Sequence, residues 1–126
     1  MDNQRNNLRM RYLLLILIFL IGCAGTPIDM TLKPEIVSQM NKIYDPIGEK
    51  SFCVGDKVHN ILTGGLASCP MPLCFVDDVV FHTHPFYAEH GANVFDLEVW
   101  KEYRKRYGNT LFGVMYGVGK YKIYKL

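Results

Sequence analysis

The chain has 126 residues, of which 49% are apolar, so it is long enough for one domain and apolar enough to bury a core. Its formal charge of +2 comes from the first eleven residues, which include Arg5, Arg9 and Arg11. From Ala24 onward, 11 basic residues balance 11 acidic residues. This balance argues against nucleic-acid binding, which normally requires a net basic surface.

The N-terminal segment is typical of an export signal. Basic residues precede an uncharged apolar run over residues 12–22, which is short for a bilayer span but suits the core of a signal peptide. The run ends at Cys23, and small residues follow it. This sequence resembles the lipobox of prokaryotic lipoproteins, which implies that Cys23 is lipidated and becomes the mature N-terminus. An uncleaved signal anchor is the alternative reading.

Both readings predict a domain outside the cytoplasm that is tethered to the cell membrane. The predicted organisation is a signal peptide over residues 1–22, a tether over 23–30 and a folded domain over 31–126. Exported proteins meet an oxidising environment in which disulfides persist. The domain contains three cysteines, Cys53, Cys69 and Cys74, so we expect one disulfide and one free or buried thiol. The sequence leaves the pairing open.

A helix is predicted first, over residues 32–43, with Thr31 as its N-cap and Pro34 in its first turn. Three strand-like segments follow, over residues 51–54, 57–62 and 75–84. Pro85 ends the third of these, because proline cannot donate a hydrogen bond to a neighbouring strand.

A second helix is predicted to run through Tyr107. Asn93 occupies its N-cap position, Asp96 completes a capping-box pattern three residues later, and Gly108 ends it. Two strands, over residues 110–116 and 120–125, then form a hairpin with a three-residue loop. This order of elements predicts a single domain of α+β or three-layer α/β architecture.

The stretch His82-Thr83-His84-Pro85 contains two candidate metal ligands. Side chains at positions i and i+2 of a strand point to the same face, so His82 and His84 present two imidazoles side by side. Two histidines and one carboxylate are a usual ligand set for catalytic zinc, which keeps its fourth position for water. Asp96, in the first turn of the next helix, is the best-placed carboxylate. His90 is an alternative ligand, His59 has no evident partner, and Asp77 and Asp78 are interpreted as structural.

This pattern resembles the JAMM (MPN-type) zinc metallopeptidases, whose motif reads Glu…His-x-His-Pro…Ser-x-x-Asp. The resemblance covers residues 32–126 and implies a three-layer α/β/α fold that hydrolyses peptide or isopeptide bonds of a peptide or protein substrate. It implies that His82, His84 and Asp96 bind zinc. It also implies that Glu49, which opens a strand-like segment, is the general base for the zinc-activated water.

The chain departs from the family pattern in two places. Asn93 stands where the family has the serine that stabilises the oxyanion, although its amide could still donate a hydrogen bond. The loop before Asp96 is also one residue longer than in the family pattern. Strict family spacing would place Ala92 at the serine position and Phe95 at the aspartate position, and neither side chain can perform those roles. We therefore expect the shifted register with Asn93 and Asp96.

Two alternatives stay open at this point. One is a JAMM-like binding module of weak or absent activity on a membrane-anchored lipoprotein, which the substitution by Asn93 favours. The other is a structural zinc site made by Cys69, Cys74, His82 and His84. The second is less favoured, because thiolates are oxidised outside the cytoplasm and the two histidines are closer in sequence than in usual structural sites.

Overall fold

The computed structural model describes residues 26–65 and 69–126. The predicted signal peptide and the lipidation site Cys23 lie outside these residues. Within the two described ranges, no helix is both long enough and apolar enough to cross a membrane.

Five strands form one mixed sheet in the order β2-β1-β3-β4-β5. The strands are β1 (Lys50–Val54), β2 (Val58–Thr63), β3 (Val79–Thr83), β4 (Leu111–Gly117) and β5 (Lys120–Lys125), and the helices are α1 (Pro34–Ile43) and α2 (Val94–Tyr107). The central strand β3 pairs antiparallel with β1 and parallel with β4. A parallel pair needs a long crossover, and α2 lies in the segment that connects β3 to β4.

The sheet packs against a different helix on each face. On one face, Phe81 of β3 belongs to an apolar cluster with Ile36 and Met40 of α1. On the other face, Val80 belongs to a cluster with Trp100 and Tyr103 of α2. Neighbouring strand residues point to opposite faces, so β3 supplies both clusters. The predicted α+β class is confirmed.

The start of α1 differs from the prediction. The helix begins at Pro34, and its N-cap residue is Lys33, which makes no side-chain capping bond. The prediction of Thr31 as the cap was wrong, because the chain before the helix is bound to the sheet edge instead. The Leu32 N–H donates to the Tyr121 hydroxyl (2.9 Å). Ile28, inside the predicted tether, forms an isolated antiparallel bridge with β5.

Two other boundaries shift. β3 begins at Val79 instead of at residue 75, because the preceding residues form a turn in which the Asp78 N–H donates to the Phe75 carbonyl (3.0 Å). The final hairpin has a two-residue turn instead of a three-residue loop, since Gly117 pairs with Lys120. The turn is possible because Gly119 adopts a φ of +70°.

The cysteines follow the expected count. Cys53 of β1 and Cys74 form a disulfide, and Cys69 is a free thiol. The sequence could not choose this pairing, because the distance from β1 to the cysteine loop depends on the tertiary fold.

Candidate metal centre

The two histidines lie at the end of the central strand. His82 is in β3, and His84 follows the strand and extends its parallel pairing, since the His84 N–H donates to the Met115 carbonyl (2.8 Å). Both side chains are buried, and they share a sheet face with Val80, which packs toward α2. The Tyr44 hydroxyl donates to the His84 carbonyl (3.0 Å) and holds this segment from the α1 side.

Two histidine nitrogens and the two oxygens of one carboxylate converge at this point. The Nε2 atoms of His82 and His84 lie 2.9 Å apart. Asp96 reaches both histidines, with Oδ1 3.0 Å from His82 Nε2 and Oδ2 3.1 Å from His84 Nε2. The three predicted ligand residues are therefore brought together, with one carboxylate oxygen beside each imidazole nitrogen.

This cluster suits a tetrahedral zinc ion. With zinc–ligand bonds of about 2.0–2.1 Å, neighbouring ligand atoms in a tetrahedron lie about 3.3 Å apart. The two nitrogens are 2.9 Å apart, and each lies 3.0 or 3.1 Å from its nearest carboxylate oxygen, so only a small expansion is needed. The contact behind His84 is also suitable: Nδ1 lies 2.7 Å from the Glu89 carbonyl and donates to it, so a cation would take the place of the proton that Nε2 shares with Asp96. Such a carbonyl partner is common behind metal-binding histidines.

The start of α2 orients the carboxylate. The Asn93 N–H donates to Asp96 Oδ2 (3.0 Å), and the Asp96 N–H donates to Asn93 Oδ1 (2.8 Å), which completes the predicted capping box. The alternative register is not the one that the fold adopts, because the Phe95 side chain is 82% exposed. At its other end, α2 stops at Gly108, as predicted, and this glycine adopts a left-handed conformation with a φ of +85°.

The hydrogen bonds shift two pKa values in opposite directions. Burial raises the pKa of the Asp96 carboxyl, but the hydrogen bonds from His82 and His84 outweigh burial and hold this pKa well below its usual range. Burial lowers the pKa of His84, but its bonds to Asp96 and to the Glu89 carbonyl outweigh that effect and raise this pKa. The carboxylate therefore stays ionised beside two imidazoles, an arrangement suited to a cation.

Glu49, the residue immediately before β1, faces the same site. Ser51 pairs with His82, so continuing this antiparallel register by two residues places Glu49 opposite His84 and on the same face. Glu49 lines the cleft that contains His82, His84 and Asp96. Burial raises the pKa of the Glu49 carboxyl, although the nearby histidines partly oppose this effect. A carboxylate with a raised pKa is a better proton acceptor at neutral pH.

Asn93 lies in the cleft but its amide already has a partner. Its Oδ1 caps α2, and its Nδ2 donates to the Glu89 carboxylate. This bond lowers the pKa of the Glu89 carboxyl. The structure therefore gives Asn93 a role in holding Asp96 and Glu89 together, with one amide N–H engaged by Glu89.

The cleft has a volume of about 300 Å³. Trp100 lies fully buried beneath it, with its ring 5.7 Å from that of His82. His90 does not join the cluster, because its ring stacks on Tyr116 at 4.8 Å. The alternative zinc site with Cys69 and Cys74 was wrong, since the sulfur of Cys74 is bonded to Cys53.

A second polar pair was missed by sequence reasoning. His59 Nε2 lies 2.8 Å from the buried Asp78 carboxylate, which also accepts from the Phe75 N–H (2.9 Å). Cys53 lies close to both groups, but its sulfur is in the disulfide and offers no thiolate. The structural interpretation of Asp78 is supported.

Glu89 was also missed by sequence reasoning, because its carbonyl and its carboxylate gain their partners, His84 and Asn93, only through the conformation of the loop.

No protein-family model, curated protein or solved structure matches this chain.

Proposed function

We propose that this protein is a zinc-dependent hydrolase of peptide or isopeptide bonds, of the JAMM type. The observation that carries the proposal is the cluster of His82, His84 and Asp96 in a cleft that Glu49 also lines. The position of the sheet between two helices supports the same family. The order of the ligands along the chain, with the carboxylate in the first turn of a helix, supports it further.

In the proposed hydrolysis, the residues of the site have different roles. His82, His84 and Asp96 would hold zinc, which would polarise a water molecule and lower its pKa toward about 7. Glu49 accepts the proton of the attacking water and passes it to the leaving amine. The Glu89 carbonyl keeps a proton of His84 on Nδ1, which would leave Nε2 to bind the cation.

The proposed location of the enzyme rests on the N-terminal sequence. The proposed enzyme is anchored through a lipid on Cys23 and acts outside the cytoplasm, where the Cys53–Cys74 disulfide would persist. Replacing Cys23 with serine should remove the fatty-acid label from the protein and leave an unprocessed precursor. Label retained on the Cys23→Ser variant would contradict the lipid anchor.

A binding module is the second candidate, and the position of Asn93 favours it. Its amide donates to Glu89, and the serine of the family motif is absent from this position. A protein that had kept the metal site without an oxyanion donor would bind peptides or amides without cleaving them.

The deciding experiment measures metal and activity on the same preparation. The full chain, extracted in detergent without chelators, should contain about one zinc per chain by elemental mass spectrometry. A peptide library should be cleaved, and cleavage should stop with 1,10-phenanthroline and return with added zinc. Failure to retain or rebind zinc would refute the proposal. Zinc at full occupancy without cleavage would favour the binding module.

A further inference from the structure

The cleft of the candidate metal centre continues into a groove along α2. The cleft and the groove share Met71 and Val99. Further along, the groove is lined by Leu73, Tyr103 and Tyr107. Leu73 is 64% exposed and Val99 is 45% exposed, so large apolar side chains face solvent next to the cluster. Grouped apolar side chains beside a polar cleft are typical of a ligand-binding surface.

The dimensions of the groove match an extended peptide. Asp96, Val99, Tyr103 and Tyr107 are three or four residues apart and lie along one side of α2. Helix residues rise by 1.5 Å, so Val99 lies about 5 Å and Tyr107 about 16 Å from Asp96 along the axis. An extended peptide covers about 3.3 Å per residue. If the cleaved bond of a peptide lies at the cluster, the side chain one or two residues from that bond would reach Val99.

The wall opposite α2 is held rigidly. The Tyr103 hydroxyl donates to the Pro72 carbonyl (2.8 Å) and accepts from the Cys74 N–H (3.0 Å). The disulfide from Cys74 to Cys53 ties the same segment to β1. A groove with fixed walls loses little conformational entropy when a ligand binds. Because its walls are held in place, the groove differs from a surface on which apolar side chains are exposed by chance.

We propose that this groove, formed by Met71, Leu73, Val99, Tyr103 and Tyr107, is a specificity subsite for a large apolar side chain. It takes the side chain one or two residues from the cleaved bond, so the substrates are extended peptides with leucine, phenylalanine or a similar residue there. The inference rests on the proposed hydrolase function. The far end of the groove carries both Glu102 and Arg106, so it gives no net preference for a charged side chain.

The test compares pairs of peptides that differ at one position. The zinc-loaded full chain in detergent is assayed with peptides carrying leucine or glycine beside the cleaved bond. We expect kcat/KM to be about 10- to 100-fold higher for the leucine peptide, the range that burial of one such side chain provides. Val99→Asp and Leu73→Ser should each reduce this ratio, with zinc content unchanged. Leu73→Ser serves if Val99→Asp fails to fold. The matched control is Val118→Asp in the exposed β4–β5 turn, outside the groove, which should keep the wild-type ratio.

The outcomes separate the inference from the proposed function. Cleavage of the leucine and glycine peptides with equal kcat/KM would overturn the subsite and leave the hydrolase intact. A preference that persists in both groove variants would also overturn it. Failure of the zinc-loaded wild type to cleave any peptide would overturn both proposals. A ratio that falls equally in the Val118→Asp control would show that the effect does not come from the groove.

Discussion

The two faces of the sheet are built from the same strands, but they bury different groups. On the α1 face, Val79 and Phe81 of β3 pack in a cluster of apolar side chains, where Phe81 stacks on Phe52 at 5.4 Å. On the α2 face, the alternate residues of the same segment are Val80, His82 and His84. One face therefore supplies a continuous apolar core, while the other gives up apolar contacts for a group of polar side chains.

A disulfide, a capping box and aromatic stacking stabilise the α2 face, which has fewer apolar contacts than the α1 face in β3. Cys53 is joined to Cys74 across this face, and the capping box fixes the start of α2. Trp100 stacks with Phe112 at a ring distance of 5.3 Å beneath the cleft. Metal binding and stability should therefore be separable by mutation, because successive residues of one strand serve different faces.

The largest expected effect is the loss of metal from the α2 face. Asp96→Asn keeps a side-chain oxygen for the capping box but removes the charge, and we expect zinc affinity to fall by more than the 10–100-fold typical of losing a partner behind a ligand. His82→Ala and His84→Ala should behave in the same way, and hydrolysis should be abolished. Calorimetric titration with zinc measures the affinity. His90→Ala is the matched control, since His90 stacks on Tyr116 outside the cluster. Unchanged zinc affinity in Asp96→Asn would mean that this carboxylate only caps the helix.

Glu49→Gln should separate chemistry from metal binding on the same face. The glutamine keeps the shape of the side chain but cannot accept the proton, so kcat should fall by about 10²–10⁴-fold with zinc content unchanged. Steady-state kinetics and elemental analysis on one preparation measure both quantities. Glu98→Gln, on the exposed side of α2 beside Lys101, is the control and should match the wild type. Zinc loss in Glu49→Gln would identify Glu49 as a ligand.

Phe81→Ala examines the opposite face. Removal of this fully buried ring should lower the free energy of unfolding by about 3–5 kcal/mol, because it leaves a cavity against Phe52 and α1. Folded molecules should still bind zinc, since His82 points the other way. Denaturant unfolding measures the stability, and zinc titration at low temperature measures the site. Zinc affinity that falls in a fully folded Phe81→Ala protein would contradict the separation of the two faces.

The sequence predicted the elements that have local signals. Asn93, Asp96 and Gly108 define the ends of α2 through capping, which depends only on neighbouring residues. The pairing of His82 with His84 follows from strand geometry, and Asp96 was correctly placed beside them. The start of α1 was predicted wrongly, because contacts with distant β5 determine the path of the chain there.

Non-local contacts also explain what the sequence left open or missed. The choice of Cys74 as the partner of Cys53 depends on the path of the cysteine loop across the sheet. The pairing of His59 with Asp78 requires β2 to lie beside β1 in its observed register. The Asn93–Glu89 bond depends on the conformation of the loop before α2, which sequence patterns do not specify.

The smallest expected effect belongs to Asn93, the residue at which the sequence differs from the JAMM motif that it resembles. Asn93→Ala removes the cap of α2 and should lower the free energy of unfolding by about 1 kcal/mol. Asn93→Ser keeps a capping oxygen and should stay closer to the wild type in denaturant unfolding. Zinc should remain in both variants, because the backbone N–H of residue 93 still donates to Asp96.

The kinetic effect of the same variants tests how the site is used. The Asn93 amide donates to Glu89 in the structure, so Asn93→Ala should lower kcat much less than the roughly 10²–10³-fold that loss of an oxyanion donor costs. Steady-state kinetics with the best peptide measures this, and Glu89→Gln is the matched variant, since it keeps an acceptor for the amide without the charge. A drop of the full size in Asn93→Ala, with Glu89→Gln unaffected, would mean that the amide leaves Glu89 and donates to the substrate. Asn93→Ser would then be expected to retain activity, because its hydroxyl can donate from the position that serine holds in the family motif.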